Sequence, residues 1–445
     1  MSADTDTLES LCELVIDCPH FTPKWTDSGH IVLRNQNIKN GVLDLSSRSF
    51  THKEDFKRRN KRATPKAGDI VFTREAPMGE VCMIPDGLEC CLGQRQVLLR
   101  PKNDVCGRYL FWALQSPFVQ HQISWNEGTG STVSNVRIPV LKALNIPRRP
   151  KKEEEIAKLL SDLADKIELN RQTNKTLEDI AQAIFKSWFV DFDPTRAKVA
   201  AKEKGQDPEL AAIAAIAGKS VDELDTLSDE QIDKLKNTAA LFPDKLVESE
   251  LGEIPQGWKV QSLDEIAHYQ NGLALQKFRP EDNNEFLPVL KIAQLKKGFT
   301  DGAEKASPNI KAECIVNNGD VVFSWSGSLM IDVWCGGKVA LNQHLFKVTS
   351  AQFPKWFYYY WTKRHLESFQ QIAADKAVTM GHIKRSHLTE AKCCVPNIDT
   401  NNFKQIRLLL EKMIEQRLES TSLEQIRDAL LPKLLSGELE VASAN

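Results

Sequence analysis

Two short stretches of this 445-residue chain carry side chains suited to the edges and phosphates of a nucleic-acid duplex. Arg34, Asn37 and Lys39 follow the apolar run Val32-Leu33, while Lys291, Gln294, Lys296 and Lys297 follow Val289-Leu290. Arg, Asn and Gln can make paired hydrogen bonds to base edges, and Lys and Arg neutralise phosphates. Arg58, Arg59, Lys61 and Arg62 form a third cationic cluster, expected as a phosphate-contacting loop. Each stretch alone would read as a charged surface strand. The matched placement of the first two sets readout against that bland alternative and leaves both open. Gln94 and Gln343 are expected as buried strand partners in preference to base readers. Tyr109, Trp112, Tyr358 and Trp361 are expected in the core.

Motifs for covalent chemistry are missing. Gly218-Lys219-Ser220 resembles the end of a phosphate loop, but Ile213 stands where that loop needs glycine. No paired-histidine helix motif, Cys/His metal spacing or glycine-rich turn after a strand occurs. The Asn-Pro-Pro-aromatic and Asp-Pro-Pro-aromatic signatures of amino-methyltransferases are also missing. Asp191-Phe192-Asp193-Pro194 is expected to be a helix-ending turn. The ten cysteines include the pairs Cys90-Cys91 and Cys393-Cys394 but no Cys-x-x-Cys, which suggests reduced, packed thiols in a cytoplasmic protein. The net charge of −2 argues against a uniformly basic binder, although residues 48–66 are strongly basic and 203–253 strongly acidic. No apolar run approaches the roughly 20 residues of a membrane helix, and the acidic, polar residues 1–13 do not resemble a secretory signal.

The candidate residues recur because the chain repeats itself. Gly68-Asp69-Ile70-Val71-Phe72-Thr73 returns as Gly319-Asp320-Val321-Val322-Phe323-Ser324, and Leu92-Gly93-Gln94 as Leu341-Asn342-Gln343. Tyr109-Leu110-Phe111-Trp112 matches Tyr358-Tyr359-Tyr360-Trp361, and Leu177-Glu178-Asp179-Ile180 matches Leu423-Glu424-Gln425-Ile426. Each copy opens with short strand-like runs among Gly and Pro turns and closes on a long amphipathic helix. The first helix is expected to follow Pro147 and Pro150 and run to about Val190. Its stripe includes Ile156, Leu163, Ile167, Leu177 and Ile184. The second is expected over about 400–435, with Ile406, Leu410, Met413, Ile426 and Leu430, and with Pro432 breaking its last turn. Rods of roughly 40 residues, near 60 Å long, can bury such stripes by pairing. Polar residues interrupt each stripe, Asn170 and Asn174 in one and Gln416 and Ser420 in the other. They would either set the register or form a wet stretch.

The expected organisation is α+β: an α/β domain at 1–150, a long helix at 151–195, an acidic helical connector at 196–253, a second α/β domain at 254–398, and a second long helix with a tail at 399–445. The paired helices would be antiparallel and coiled-coil-like, and the duplication would give an approximate twofold. Helix starts in the connector are expected at Asp207-Pro208 and at Ser228, with Gln231 completing a capping box. The connector otherwise reads as a solvated spacer. Two unequal copies suit two unequal half-sites on DNA. A self-sufficient nuclease or methyltransferase, and a coiled-coil adaptor without a DNA role, are the competing classes.

Three strings extend this reading. They run from Lys166-Ile167-Glu168-Leu169-Asn170 through Ala183-Ile184-Phe185-Lys186-Ser187-Trp188-Phe189-Val190-Asp191-Phe192-Asp193-Pro194, then Glu250-Leu251-Gly252-Glu253-Ile254-Pro255-Gln256-Gly257-Trp258, and finally Leu431-Pro432-Lys433-Leu434-Leu435-Ser436-Gly437-Glu438-Leu439. In these the chain resembles the specificity subunits of type I restriction–modification enzymes. The resemblance implies that 1–150 and 254–398 are DNA target-recognition domains reading a split site. It implies two methyltransferase subunits docked on the long helices, with motor-nuclease restriction subunits added. No cofactor would be bound by this chain itself; S-adenosylmethionine, ATP and Mg would act in the partners. The first copy lacks the Ile-Pro-x-Gly-Trp opening and is expected to start around His20-Phe21-Thr22-Pro23-Lys24-Trp25.

Overall fold

A computed structural model describes residues 4–125, 135–281, 285–300, 302–375 and 381–441. The chain divides into two compact units, Met1–Glu168 with Ser422–Asn445, and Leu169–Thr421. Each unit holds one α/β head, and the two heads share a parallel strand pair and a second four-stranded sheet of the same order. In the first, Cys90–Leu92 runs parallel to His30–Leu33, with Cys91 opposite Val32. In the second, Val339–Leu341 and Leu287–Leu290 are parallel, with Ala340 opposite Val289. A second sheet in each head sets Phe72 against Val97 and Val81, and correspondingly Phe323 against Phe346 and Ile331. Even the turn before the central strand is copied. The Lys66 amide donates to Asp69 Oδ2, and the Asn317 amide to Asp320 Oδ2, both at 2.8 Å.

The repeat also places the start of the first copy earlier than its sequence suggests. Strand Thr5–Thr7 pairs antiparallel with Asn145–Pro147 and leads into the short helix Leu8–Leu11. Strand Lys259–Ser262 pairs in the same way with Lys392–Val395 and leads into Leu263–Ile266. The opening expected near His20 is therefore an internal loop of the head. Three residues pairing with a strand about 140 positions away leave no local signature.

The long helices are Glu153–Phe189, 37 residues, and Lys404–Ser436, 33 residues. At about 1.5 Å per residue the first is some 55 Å long. In unit one, Ile156, Ala157 and Leu160 from the start of the first helix share a core with Leu431, Leu434 and Leu435 from the end of the second. In unit two the order reverses: Ala181, Phe185, Trp188 and Phe189 from the end of the first helix meet Phe403, Ile406 and Leu410 from the start of the second. Start meets end in both, so the helices are antiparallel. Pro432 does not break the second helix, which continues to Ser436. Proline forfeits one backbone bond in the last turn, and Leu431, Leu434 and Leu435, packed in the head, hold that turn in place.

After Phe189 the chain turns through Phe192, whose φ of 58° is left-handed, into helix Asp193–Glu203. The expected helix-ending turn lies there. Asp207 caps helix Pro208–Ala217, and the Ser228–Gln231 capping box opens Asp229–Ala239. The connector is more than a solvated spacer, because Ala212, Ile213, Ala214, Leu224 and Ala239 form a small core. No described helix is long and apolar enough to cross a membrane.

Candidate nucleic-acid interface

In both heads the candidate residues follow the first strand of the parallel pair, where the chain leaves the sheet. In unit one it enters the 3-10 turn Asn35–Asn37, and in unit two the helix Ile292–Lys297, which Gly298 terminates with a φ of 83°. At about three to four residues per turn, such helical turns fan successive side chains around the axis, so only some of the polar residues face water. Arg34 is exposed, with its guanidinium 5.4 Å from the centre of the Trp25 ring, and Lys39 is exposed. Asn37 is buried, and its amide donates to the carbonyls of Asp44 and Ser47, both at 2.9 Å. It closes the loop that carries Arg34, and so is a structural residue where a base reader was expected. In unit two, Lys296 and Lys297 are exposed and Lys291 is ion-paired with Glu304. Gln294 is buried against expectation, facing inward on the helix beside Leu295.

The cluster of Arg58, Arg59, Lys61 and Arg62 is not a simple loop, since Lys53–Arg59 is helical. Arg58, Lys61 and Arg62 are exposed, and Arg58 lies 4.2 Å from the ring centre of Phe21. Arg59 is only 3% exposed. Its guanidinium donates to the carbonyls of Phe21 at 2.6 Å, Leu92 at 2.7 Å and Pro19 at 3.2 Å. Those carbonyls need donors more than a distant phosphate does, and they draw the side chain inside. The two glutamines expected in the sheet interior are instead exposed in the turns that follow the second strand of each parallel pair. Gln94 donates to the His20 carbonyl at 2.8 Å, and the Gln343 amide lies 3.4 Å from His344 Nε2. The aromatic residues Tyr109, Trp112, Tyr358 and Trp361 are buried, as the sequence suggests.

The helix residues expected to dock partners divide by exposure. Ile156, Ile406 and Leu410 are buried within the chain, because the long helices use them to hold the heads, and Met413 is buried as well. Leu163, Ile167, Leu177, Ile184 and Leu430 are half-buried. Ile426 stays 48% exposed, and its repeat equivalent Ile180 is 43% exposed. The sequence stripe hides this distinction, because a residue beside the buried seam has the same spacing as one within it.

All ten cysteines are free. Burial pushes the thiols of Cys12, Cys90 and Cys394 up to about 12 and that of Cys91 to about 11. At neutral pH they are packing groups, not nucleophiles.

Two copies of one fold, each offering exposed cations beside a parallel strand pair, define a tandem recognition chain. The chain belongs to the family of the type I restriction modification DNA specificity domain, whose model matches residues 7–179 and again 255–428. It is 28% identical to the type I restriction enzyme HindI specificity subunit of Haemophilus influenzae, over 89% of this chain and 93% of that one. The MjaIX specificity subunit of Methanocaldococcus jannaschii is 26% identical, over 96% of this chain and 87% of its own. A crystal structure of the specificity subunit of a type I restriction–modification system from M. genitalium is 16% identical, covers 97% and 95% of the two chains, and superposes with a TM-score of 0.49. The chain is thus a DNA-specificity component rather than a catalytic one.

Proposed function

We propose that this chain reads an asymmetric, split DNA site, one half with each head, and serves as the platform on which a type I restriction–modification complex is built. Two methyltransferase subunits would dock on the long helices and restriction subunits would join them. S-adenosylmethionine, ATP and Mg would act in those partners, none being held by this chain, and the complex would work in the cytoplasm. The single observation carrying this reading is the conserved register of the two heads with divergent side chains at their turns. Val32 opposite Cys91 and Val289 opposite Ala340 occupy the same place in one scaffold, yet Arg34 in one copy is Lys291 in the other. The repeat-matched exposed pair Ile180 and Ile426 supports two similar docking surfaces, since a large apolar side chain left out on each helix suits burial by a partner.

Co-expression with the cognate methyltransferase, followed by genome-wide methylation mapping, tests the proposal. It requires adenine methylation at one bipartite, non-palindromic sequence. Methylation at an unsplit palindrome overturns it. Unchanged mobility of duplex DNA even with the methyltransferase present would favour an adaptor without a DNA role.

A further inference from the structure

Beside the parallel pair, each head carries a three-segment ledge whose backbone bonding pattern repeats and whose side chains do not. In unit one the Arg74 amide donates to the Arg95 carbonyl at 2.8 Å, the Val136 amide donates to Arg74 at 3.1 Å, and Glu75 bridges Asn135. In unit two the Trp325 amide donates to the His344 carbonyl at 3.4 Å, the Ile383 amide donates to Trp325 at 3.0 Å, and Ser326 bridges His382. Every bond falls at the repeat-equivalent position. Yet Arg74, Glu75, Arg95 and Asn135 have become Trp325, Ser326, His344 and His382. A scaffold kept bond for bond while its hydrogen-bonding groups are exchanged is what two readers of different sequences require.

The side chains on the two ledges are held but not used up. Arg95 adopts a left-handed backbone, with a φ of 69°, which is strained for a residue with a side chain. Its guanidinium is 52% exposed, and Nε lies 3.2 Å from the Glu75 carboxylate. The Asn35 amide in turn donates to the Glu75 carbonyl. Among the described residues the terminal amino groups of Arg95 make no hydrogen bond. Arg74, a structural arginine, is the contrast: it is 14% exposed, pairs with Asp17 at 2.9 Å and donates to the Val136 carbonyl at 3.0 Å. In unit two, His344 Nδ1 lies 3.0 Å from Ser326 Oγ and its Nε2 faces the exposed Gln343 amide. The side chain of Gln94, the equivalent of Gln343, donates to a backbone carbonyl, whereas among the described residues that of Gln343 meets only the neighbouring imidazole.

We infer that Arg95, steered by Glu75, reads a guanine of one half-site in the major groove, and that Gln343 with His344 reads an adenine of the other. The paired N–H donors of a guanidinium match guanine O6 and N7, and a carboxamide matches adenine N6 and N7. The inference rests on the split-site reading proposed above.

The test maps methylation in cells that co-express the methyltransferase with R95A, R95K or Q343A. R95A and R95K are expected to lower discrimination at one guanine of one half-site by about ten- to a hundredfold, with the other half-site unchanged. Q343A is expected to relax one adenine of the opposite half-site. Either R95K or Q343A with the full wild-type motif overturns the inference, since both side chains are exposed and neither change opens a cavity. If R95A abolishes methylation by unfolding the head, the Q343A map decides. A wild-type chain that directs no split motif defeats the underlying reading instead, which separates the two failures.

Discussion

At the scale of single residues, what separates an exposed arginine from a structural anchor in this chain is the number of carbonyls already waiting for a donor. Arg58 and Arg59 are neighbours of the same type, yet one is exposed over Phe21 and the other fills a buried site with three carbonyl acceptors. Local sequence cannot separate them, because the acceptors come from Pro19, Phe21 and Leu92, about 30 to 40 positions away. Asn37 misled for a similar reason, its acceptors Asp44 and Ser47 belonging to the loop it closes. Arg59→Ala would leave those carbonyls unpaired and is expected to cost about 3 kcal/mol or more. Arg59→Lys should recover only part, because an ammonium cannot span three diverging acceptors. Denaturant unfolding measures both. Lys61→Ala should leave unfolding unchanged and lower the salt dependence of DNA binding by about one unit of slope. An unaltered midpoint for Arg59→Ala would show that Arg59 does not hold the head together.

At the scale of elements, the long helices were the most legible part of the chain, because periodicity depends only on local spacing. The structure resolves what periodicity left open, the role of the polar interruptions. Asn170 is 1% exposed, and its amide donates to Glu419 at 2.8 Å and to Ser420 at 3.3 Å on the other long helix. A buried amide satisfied across two helices fixes which residues lie opposite, because any slip leaves it unpaired. Asn170→Ala is expected to destabilise unit two by about 1–3 kcal/mol. Asn170→Asp should cost more, since it would bury a second carboxylate at position 170 beside that of Glu419. Thermal unfolding of the two variants ranks them, and an aspartate as stable as wild type would count against the register role. The connector shows the opposite limit. Its helix starts were readable from Asp207-Pro208 and Ser228-Gln231, but its core of alanines and isoleucines depends on three helices meeting, which no single segment announces.

At the scale of the whole molecule, unit one is built from two stretches of chain and unit two from the single stretch Leu169–Thr421, and this governs what can be exchanged. Head two packs on Phe185, Trp188 and Phe189 of the first long helix through a set of rings. Phe189 lies 5.7 Å from Trp258, 5.4 Å from Trp356 and 5.0 Å from Phe403, and Phe185 lies 5.2 Å from Trp361. Among the described residues, the buried core of head one takes Ile156, Ala157, Leu160, Leu431, Leu434 and Leu435 from the long helices. The duplication was readable from five ordered matches, and the family from its strings at the helix ends and the domain junction. The exchangeable boundary was not, because it is drawn by contacts between aromatic residues up to about 200 positions apart. Replacing 254–398 with the equivalent head of a relative should therefore change one half-site and leave the other intact, provided rings are kept at Trp258, Trp356 and Trp361. The same graft with those three positions made alanine should lose the fold of unit two, since each truncated ring costs about 3–5 kcal/mol. Methylation mapping reads the first outcome and thermal unfolding the second. A graft that alters both half-sites at once would mean that the heads do not read independently.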